Sequence, residues 1–122
     1  MPRTALLLIA HGSRRAEANA DLEHLAGDIR TRGSFDYVQI AYLELAEPGI
    51  AAGGEICVRA GASEVVLLPY FLSPGVHAIN DLTDARTELA NRFPEVVFRL
   101  ASPLGRHPLL AEIVEQRARE AP

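Results

Sequence analysis

Two histidines stand in glycine-containing loops that follow apolar runs of the chain. His11 comes after LLLIA and precedes Gly12, and His77 comes after VVLLPYFLSPGV. Because loops after parallel strands gather at one edge of a sheet, we expect both imidazoles on the same rim. Glu44 follows another apolar run and is expected there too. The three side chains together predict a small metal site with nitrogen and oxygen ligands.

Four apolar runs of the strand type alternate with four helical patterns. This alternation predicts an α/β fold with a four-stranded parallel sheet and helices on both faces, in three layers. The predicted strands are 4–10, 37–43, 64–69 (or 64–70) and 95–101, and the predicted helices are 15–32, 48–60, 77–93 and a last one from 107–108 onward.

The composition of the strands indicates their order. Strands one and three are almost purely apolar at their centres, as expected for strands covered on all sides. Strand two carries Gln39 and strand four carries Arg99, which is typical of edge strands. With right-handed crossovers, the predicted order is 2-1-3-4. Ligands of open α/β sheets bind where the order reverses, which here lies between the strands that precede His11 and His77.

The second and last helices carry further expectations. Gly53 and Gly54 lie inside the second helix. Each glycine destabilises the helix by about 1 kcal/mol relative to alanine, and close packing at these positions would explain why glycine is present. The last helix is expected to pack on the core through four apolar residues, Leu109, Leu110, Ile113 and Val114.

Length and composition predict one soluble domain that spans residues 1–122. The chain is 48% hydrophobic and 23% charged, which is ordinary for a globular protein. A net charge of −4 argues against a nucleic-acid partner. Neither a signal peptide nor a membrane-spanning run is found, so we expect a cytoplasmic protein. The single cysteine, Cys57, excludes an internal disulfide and lies among apolar residues typical of a core helix.

Several residues have simpler interpretations than chemistry. His24 lies on the polar side of the first helix and is expected at the surface. His107 precedes Pro108 at a helix start, which favours a structural position, although it also follows strand four on the same rim. Glu47 is a weaker metal-ligand candidate than Glu44, because either carboxylate could simply favour the start of the next helix.

Three other enzyme and signalling classes fit poorly. A histidine phosphatase places an arginine before its His-Gly pair, and this chain has Ala10 there. Ser13 lacks the G-x-S-x-G context of a serine nucleophile. A receiver domain needs an acidic cluster after strand one, where this chain has His-Gly-Ser.

Four sequence blocks together carry a family resemblance. LLLIAHGSR, YLELAEPGI, VVLLPYFLSPGVHAINDL and SPLGRHPLL resemble the small sirohydrochlorin chelatases, the class II cobalt- and iron-chelatase group, in order and spacing over nearly the whole chain. Thr83 stands where that family often has proline, outside the expected ligands. The resemblance implies a chelatase-like half-domain. Longer members contain two such halves, so a homodimer is implied for this chain.

The resemblance also implies the reaction and its residues. A divalent metal, Co²⁺, Fe²⁺ or possibly Ni²⁺, is inserted as a substrate into sirohydrochlorin or a related tetrapyrrole, with no organic cofactor. His11 and His77 are the expected catalytic residues and, with Glu44, the expected metal ligands. The residues expected to bind the tetrapyrrole are Ser13, Arg14, Leu72, Ser73 and Gly75.

Two further matters stay open from the sequence. The product could serve sirohaem or cobalamin biosynthesis. The chain could also be a metal or tetrapyrrole carrier of the same fold that has no catalytic turnover.

Overall fold

A computed structural model describes residues 3–122, which form one parallel sheet with helices on both faces. The eight predicted elements are confirmed, with bounds that differ from the prediction by at most two residues. The elements are β1 (Thr4–Ala10), α1 (Ala16–Arg32), β2 (Tyr37–Tyr42), α2 (Ile50–Arg59), β3 (Glu64–Pro69), α3 (Val76–Arg92), β4 (Val97–Leu100) and α4 (Leu109–Glu120). Within the described residues we find no helix long and apolar enough to cross a membrane.

The strand order is β2-β1-β3-β4, and all neighbouring strands are parallel, which confirms the prediction. Leu8 at the centre of β1 lies opposite Ile40 of β2 and Leu68 of β3. β1 is buried from Ala5 to Ile9, because strands flank it on both sides and helices cover both faces. The order reverses between β1 and β3, so the loops after these two strands leave the sheet side by side.

The two faces of the sheet are covered unequally. Helices α2 and α3 pack on one face, where Ile50, Cys57, Leu82 and Leu89 belong to the larger apolar core. Helix α1 packs on the opposite face, where its residues Leu22 and Ala26 meet side chains from β1 and β2. Two helices therefore cover the first face, and one of the described helices covers the second.

Close packing explains the two glycines inside α2. A Cβ atom on Gly53 would lie 3.0 Å from Ala41 Cβ and 3.0 Å from Leu7 Cδ1. A Cβ atom on Gly54 would lie 2.6 Å from Cδ1 of Leu89, which is buried. The glycines let α2 approach both the sheet and α3, and this approach offsets their poor helix propensity.

The expectation that α4 packs on the core is wrong for the protomer. Leu110 is half-buried, and the other residues of α4 are exposed, with 52% of Ile113 and 66% of Val114 accessible to solvent. In the connection after β4, Arg106 lies in the left-handed region at φ 66°. The apolar side of α4 borders an open groove and does not fill it.

Cys57 lies in the core, as its sequence context predicts. Burial raises the pKa of its thiol to about 12, so the thiol stays protonated near neutral pH. A protonated and buried thiol is a poor nucleophile and a poor metal ligand, which is consistent with a packing role.

We predict opposite stability changes for two helical glycine-to-alanine substitutions. Gly54→Ala gains helix propensity but forces an extra methyl group against Leu89, so it should lower the free energy of unfolding by about 1–3 kcal/mol. Gly27→Ala in α1, where a Cβ would meet nothing within 4 Å, should raise it by about 0.5–1 kcal/mol. Urea unfolding followed by circular dichroism measures both. A stabilising Gly54→Ala would contradict the close packing of α2 on α3.

Candidate active site

The central feature of the carboxyl rim is a contact between His11 and Glu44. The Nε2 atom of His11 lies 2.9 Å from Oε1 of Glu44. The two side chains are 62% and 57% exposed, so a ligand can reach both from solvent. The structure therefore brings together an imidazole and a carboxylate from the loops after β1 and β2, as the sequence suggests.

Backbone contacts position this pair. The parallel pairing of β1 with β2 continues beyond the strands, because the N–H of Leu43 donates to Ala10 O and the N–H of Glu44 donates to His11 O, at 3.0 and 3.1 Å. Gly12 has φ 102°, and a Cβ atom on it would lie 1.8 Å from Glu44 O. Glycine is therefore required at position 12 for both its backbone angle and the close approach of the two loops.

Asn19 in the first turns of α1 fixes the loop that carries His11. Its Oδ1 accepts from the Ser13 N–H at 3.0 Å, and its Nδ2 donates to Ser13 O at 2.8 Å. The buried Tyr42 hydroxyl donates to the Asn19 backbone oxygen at 3.1 Å. Burial, with a smaller contribution from Glu23, raises the pKa of Tyr42, which keeps the hydroxyl protonated as a donor.

Asn19 is absent from the residues that the sequence singled out. A signal was available, since an asparagine six residues after Ser13 can bond a loop backbone. Helix propensity alone does not distinguish such an asparagine from an exposed helical residue. The hydrogen bonds form only because the fold places the Ser13 backbone beside the Asn19 side chain.

The predicted substrate-binding residues after β1 lie beside the pair. Ser13 Oγ accepts from the Arg15 N–H at 3.1 Å, so this hydroxyl shapes the loop. Arg14 and Arg15 are both exposed where the loop enters α1. Their positions on the rim are compatible with binding an anionic ligand, and the role of each residue stays a prediction.

The loop after β3 lies against His11. The N–H of Tyr70 donates to Ile9 O at 2.7 Å, and the Phe71 ring meets the His11 ring edge-on at 6.4 Å between centroids. Phe71 is a residue of the site that the sequence does not indicate, because an aromatic side chain in an apolar run is typical of a core residue. On the same loop, Leu72 is 63% exposed. Ser73 and Gly75, the N-cap residue of α3, are exposed as well.

His77 is the second residue of α3 and is exposed. Within residues 3–122, no three His, Cys, Asp or Glu side chains are grouped closely enough to hold a metal ion. The geometry therefore joins His11 to Glu44, and His77 as the third ligand stays a prediction. Since β1 and β3 are neighbours, His77 follows the strand next to that of His11.

The other two histidines lie outside this pair. His24 lies on α1 with its Nε2 3.6 Å from Asp28 Oδ2, and it is exposed, as predicted. His107 Nδ1 accepts from the Leu109 N–H at 3.2 Å and so satisfies a backbone group at the start of α4. His24 therefore lies at the surface, and His107 has a structural contact at the start of α4.

The contact of His11 with Glu44 brings a nitrogen and an oxygen ligand atom together. One divalent ion could contact both Nε2 and Oε1, which lie 2.9 Å apart. With so few protein ligands, coordination positions would stay open for the nitrogens of a bound substrate.

Comparison with known proteins decides the family. The model of the CbiX family matches residues 5–121. The chain belongs to the CbiX family. Its fold is that of chelatases of known structure, including the sirohydrochlorin chelatase SirB from Bacillus subtilis subspecies spizizenii in complex with cobalt. The TM-score to SirB is 0.88, with 28% sequence identity over 97% of this chain and 50% of that one.

Two relatives differ in length. A chloroplastic sirohydrochlorin ferrochelatase from Arabidopsis thaliana is 36% identical over 112 residues, which are 92% of this chain and 50% of the relative. A sirohydrochlorin cobaltochelatase from Methanopyrus kandleri is 28% identical, and the match covers 96% of both chains. The chain thus spans about half the length of the Arabidopsis relative and nearly all of the Methanopyrus relative.

We predict that Gly12→Ala disrupts the site. A methyl group cannot occupy the space of the Glu44 carbonyl, and alanine is strained at this φ, so the free energy of unfolding should fall by at least about 2 kcal/mol. Thermal unfolding measures the loss, and Gly75→Ala, whose Cβ would meet nothing within 4 Å, is the matched control. Equal stability of the Gly12→Ala variant and the parent would show that the two loops are not held in this approach.

Proposed function

We propose that this CbiX-family protein inserts a divalent metal ion, Co²⁺ or Fe²⁺, into sirohydrochlorin. The observation that carries the proposal is the contact of His11 with Glu44 on the carboxyl rim, in a family whose relatives are named sirohydrochlorin ferrochelatase and cobaltochelatase. Ni²⁺ is included as a third candidate because imidazole and carboxylate ligands also suit it. The metal is a substrate, and the proposal needs no organic cofactor.

The proposed reaction replaces two pyrrole N–H protons with one divalent ion. In this proposal, His11 Nε2 and Glu44 Oε1 contact the metal ion and hold that ion on the rim. After the ion moves into the macrocycle, the imidazole can accept a pyrrole proton and pass it to solvent, since both side chains are more than half exposed. The second proton requires another acceptor on the rim.

His77 is the proposed second acceptor and third metal ligand. It is exposed in the first turn of α3, which follows the strand adjacent to β1. The macrocycle would then lie between the loops after β1 and β3. This placement agrees with the general rule that ligands of open α/β sheets bind where the strand order reverses.

The proposed tetrapyrrole-binding surface surrounds this position. Sirohydrochlorin carries carboxylate groups, and every basic residue of the chain is an arginine, whose planar group forms paired hydrogen bonds with carboxylates. Arg14 is exposed next to the His11 loop. The exposed Leu72 offers an apolar contact, and the other proposed contacts are Ser13, Ser73 and Gly75.

We also propose that the protein acts as a homodimer. The chain matches half of the Arabidopsis and SirB chains, so two copies would supply a comparable amount of protein around the macrocycle. The cytoplasm as its location stays an expectation from sequence.

A carrier without turnover is the second candidate function. A site with only His11 and Glu44 as ligands would bind a metal ion that can later be released. A carrier needs to release its metal just as an enzyme does. Anaerobic incubation with sirohydrochlorin and excess metal, followed by absorbance, separates the two. An enzyme produces many equivalents of metallated product above the uncatalysed rate, whereas a carrier binds about one equivalent.

We predict that His11→Ala and His77→Ala each lower the rate of metal insertion at least about 100-fold, because each removes a proton acceptor and a ligand. The melting temperature should be unchanged, since both side chains are exposed. His24→Ala, on the exposed side of α1, is the matched control and should retain the parent rate. Parent rates in both site variants would refute the proposed metal site.

We predict that Glu44→Gln and Arg14→Ala affect different substrates. Glu44→Gln keeps the shape but removes an anionic ligand, so it should raise the KM for metal about 10-fold or more. Arg14→Ala should raise the KM for sirohydrochlorin, with a difference from the parent that shrinks at high salt. Arg59→Ala on α2 serves as the control. The same KM change for both substrates in both variants would contradict the separate roles.

A further inference from the structure

Two residues other than glycine adopt a left-handed backbone conformation within residues 3–122, and both lie on the carboxyl rim. Leu45 has φ 65° in the loop after β2, and Arg106 has φ 66° in the connection after β4. A side chain crowds the neighbouring backbone at such an angle, whereas glycine adopts the same angle freely. Both residues are therefore held in a conformation that destabilises the folded chain.

Contacts on both sides of Leu45 impose its conformation. The carbonyl of Glu44, the preceding residue, lies so close to Gly12 that a Cβ atom there would be 1.8 Å from the oxygen. After Leu45 the chain returns to β2, because the N–H of Tyr42 donates to Pro48 O at 2.9 Å. The loop is thus closed at its base and fixed at its approach to the His11 loop, and the residue between these contacts has little freedom.

Arg106 follows the second close backbone approach of the rim. Gly105 lies against the carbonyl of Leu72, where a Cβ atom would be 1.8 Å from the oxygen. The N–H of His107 donates to Leu104 O at 3.1 Å, so residues 104–107 form a tight turn with Arg106 as its third residue. Glycine or asparagine usually occupies this place in a turn when its φ is positive.

Neither side chain contributes much to the stability of the folded protomer. Leu45 is 51% exposed and belongs to neither apolar core cluster. Arg106 is exposed, and its guanidinium forms no ion pair or hydrogen bond with another residue in the range 3–122. Arg99 on the preceding strand, by contrast, pairs with Glu64. Strained residues with exposed side chains are typical of positions that contact a ligand.

We propose that Leu45 and Arg106 are two outer contacts of the tetrapyrrole, with Leu45 against the apolar ring system and Arg106 against a carboxylate. The inference rests on the proposed function, because it takes sirohydrochlorin as the ligand. It concerns binding of the tetrapyrrole alone and does not require metal insertion.

The strand order places these two residues on opposite sides of the candidate site. Leu45 and Arg106 follow the outer strands β2 and β4, whereas His11 and His77 follow the inner strands β1 and β3. Neighbouring strands lie about 4.8 Å apart, so the two outer strands are about 14 Å apart in the sheet. A tetrapyrrole with its carboxylate side chains has a comparable width. A macrocycle above the inner strands would therefore extend to both outer loops.

Arg106 also adds a cation at the far side of the rim from the arginines after β1. Arg14 and Arg15 are exposed in the loop after β1, and the loop after β3 lies between them and the connection after β4. Carboxylates at opposite edges of one macrocycle can then each meet a guanidinium group. This arrangement favours a tetrapyrrole with carboxylates around the whole ring over one with carboxylates at a single edge.

The first test replaces each strained residue with glycine. Leu45→Gly and Arg106→Gly relax the backbone, so each should raise the melting temperature by about 2–5 °C. Gly33 provides the matched control, because it has φ 73° at the end of α1 and a Cβ atom on it would meet nothing within 4 Å. Gly33→Ala introduces the same strain outside the rim and should lower the melting temperature by a similar amount.

The second test titrates sirohydrochlorin into each variant anaerobically, without metal, and follows the absorbance of the tetrapyrrole. Arg106→Gly should raise the Kd about 10-fold or more, with a difference from the parent that shrinks at high salt. Leu45→Gly should raise the Kd about 5-fold at every salt concentration, because the lost contact is apolar. Arg59→Ala removes the same charge from α2 and should bind like the parent, as should Gly33→Ala.

The combination of weaker binding with undiminished stability separates a ligand contact from a structural role. Parent affinity in either glycine variant would overturn the proposal. A lower melting temperature in a glycine variant that binds weakly would also overturn it, because the side chain would then support the fold. A parent that binds sirohydrochlorin but inserts no metal would refute the proposed function alone. A parent that inserts metal, with parent affinity in both glycine variants, would refute this inference alone.

Discussion

Because β1 pairs in parallel with β2 on one side and β3 on the other, the loops after all three strands leave the sheet at one rim. The pairing does not stop at the ends of the strands. Hydrogen bonds from the N–H groups of Leu43 and Glu44 to Ala10 and His11 extend the pairing by two residues of the second chain segment, and these bonds set Glu44 beside His11. The candidate site is therefore a continuation of the central strand pairing, and a change in register would separate its two side chains.

Close backbone approach occurs twice on this rim. Gly12 lies against the carbonyl of Glu44, and Gly105 lies against the carbonyl of Leu72. The first contact joins the loops after β1 and β2, while the second joins the connection after β4 to the loop after β3. Both exclude a Cβ atom, so glycine at these positions determines how closely the loops can meet. The first approach holds the pair of His11 and Glu44, and the second holds the connection that leads to α4 against the β3 loop.

The unequal coverage of the two faces of the sheet leaves an open groove that reaches the candidate site. Helix α2 packs closely enough to need glycine at positions 53 and 54, and with α3 it fills one side of the sheet. The other side has α1 and an open groove that ends at the β3 loop, where Phe71 contacts His11.

The sequence by itself determined the element types, the strand order and the presence of His11 and Glu44 on one rim. These follow from local hydrophobic period, from polar residues on edge strands and from the handedness of crossovers, which are properties of short segments. Only the tertiary structure decided the clamp by Asn19, the contact of Phe71 with His11, the reason for Gly53 and Gly54, and the outward position of α4. Each of these depends on an approach between segments distant in sequence, and hydrophobic period carries no information on such distances. The stripe on α4 shows the difference: its pattern correctly predicted an apolar face, but the turn at 104–107 decided where that face points.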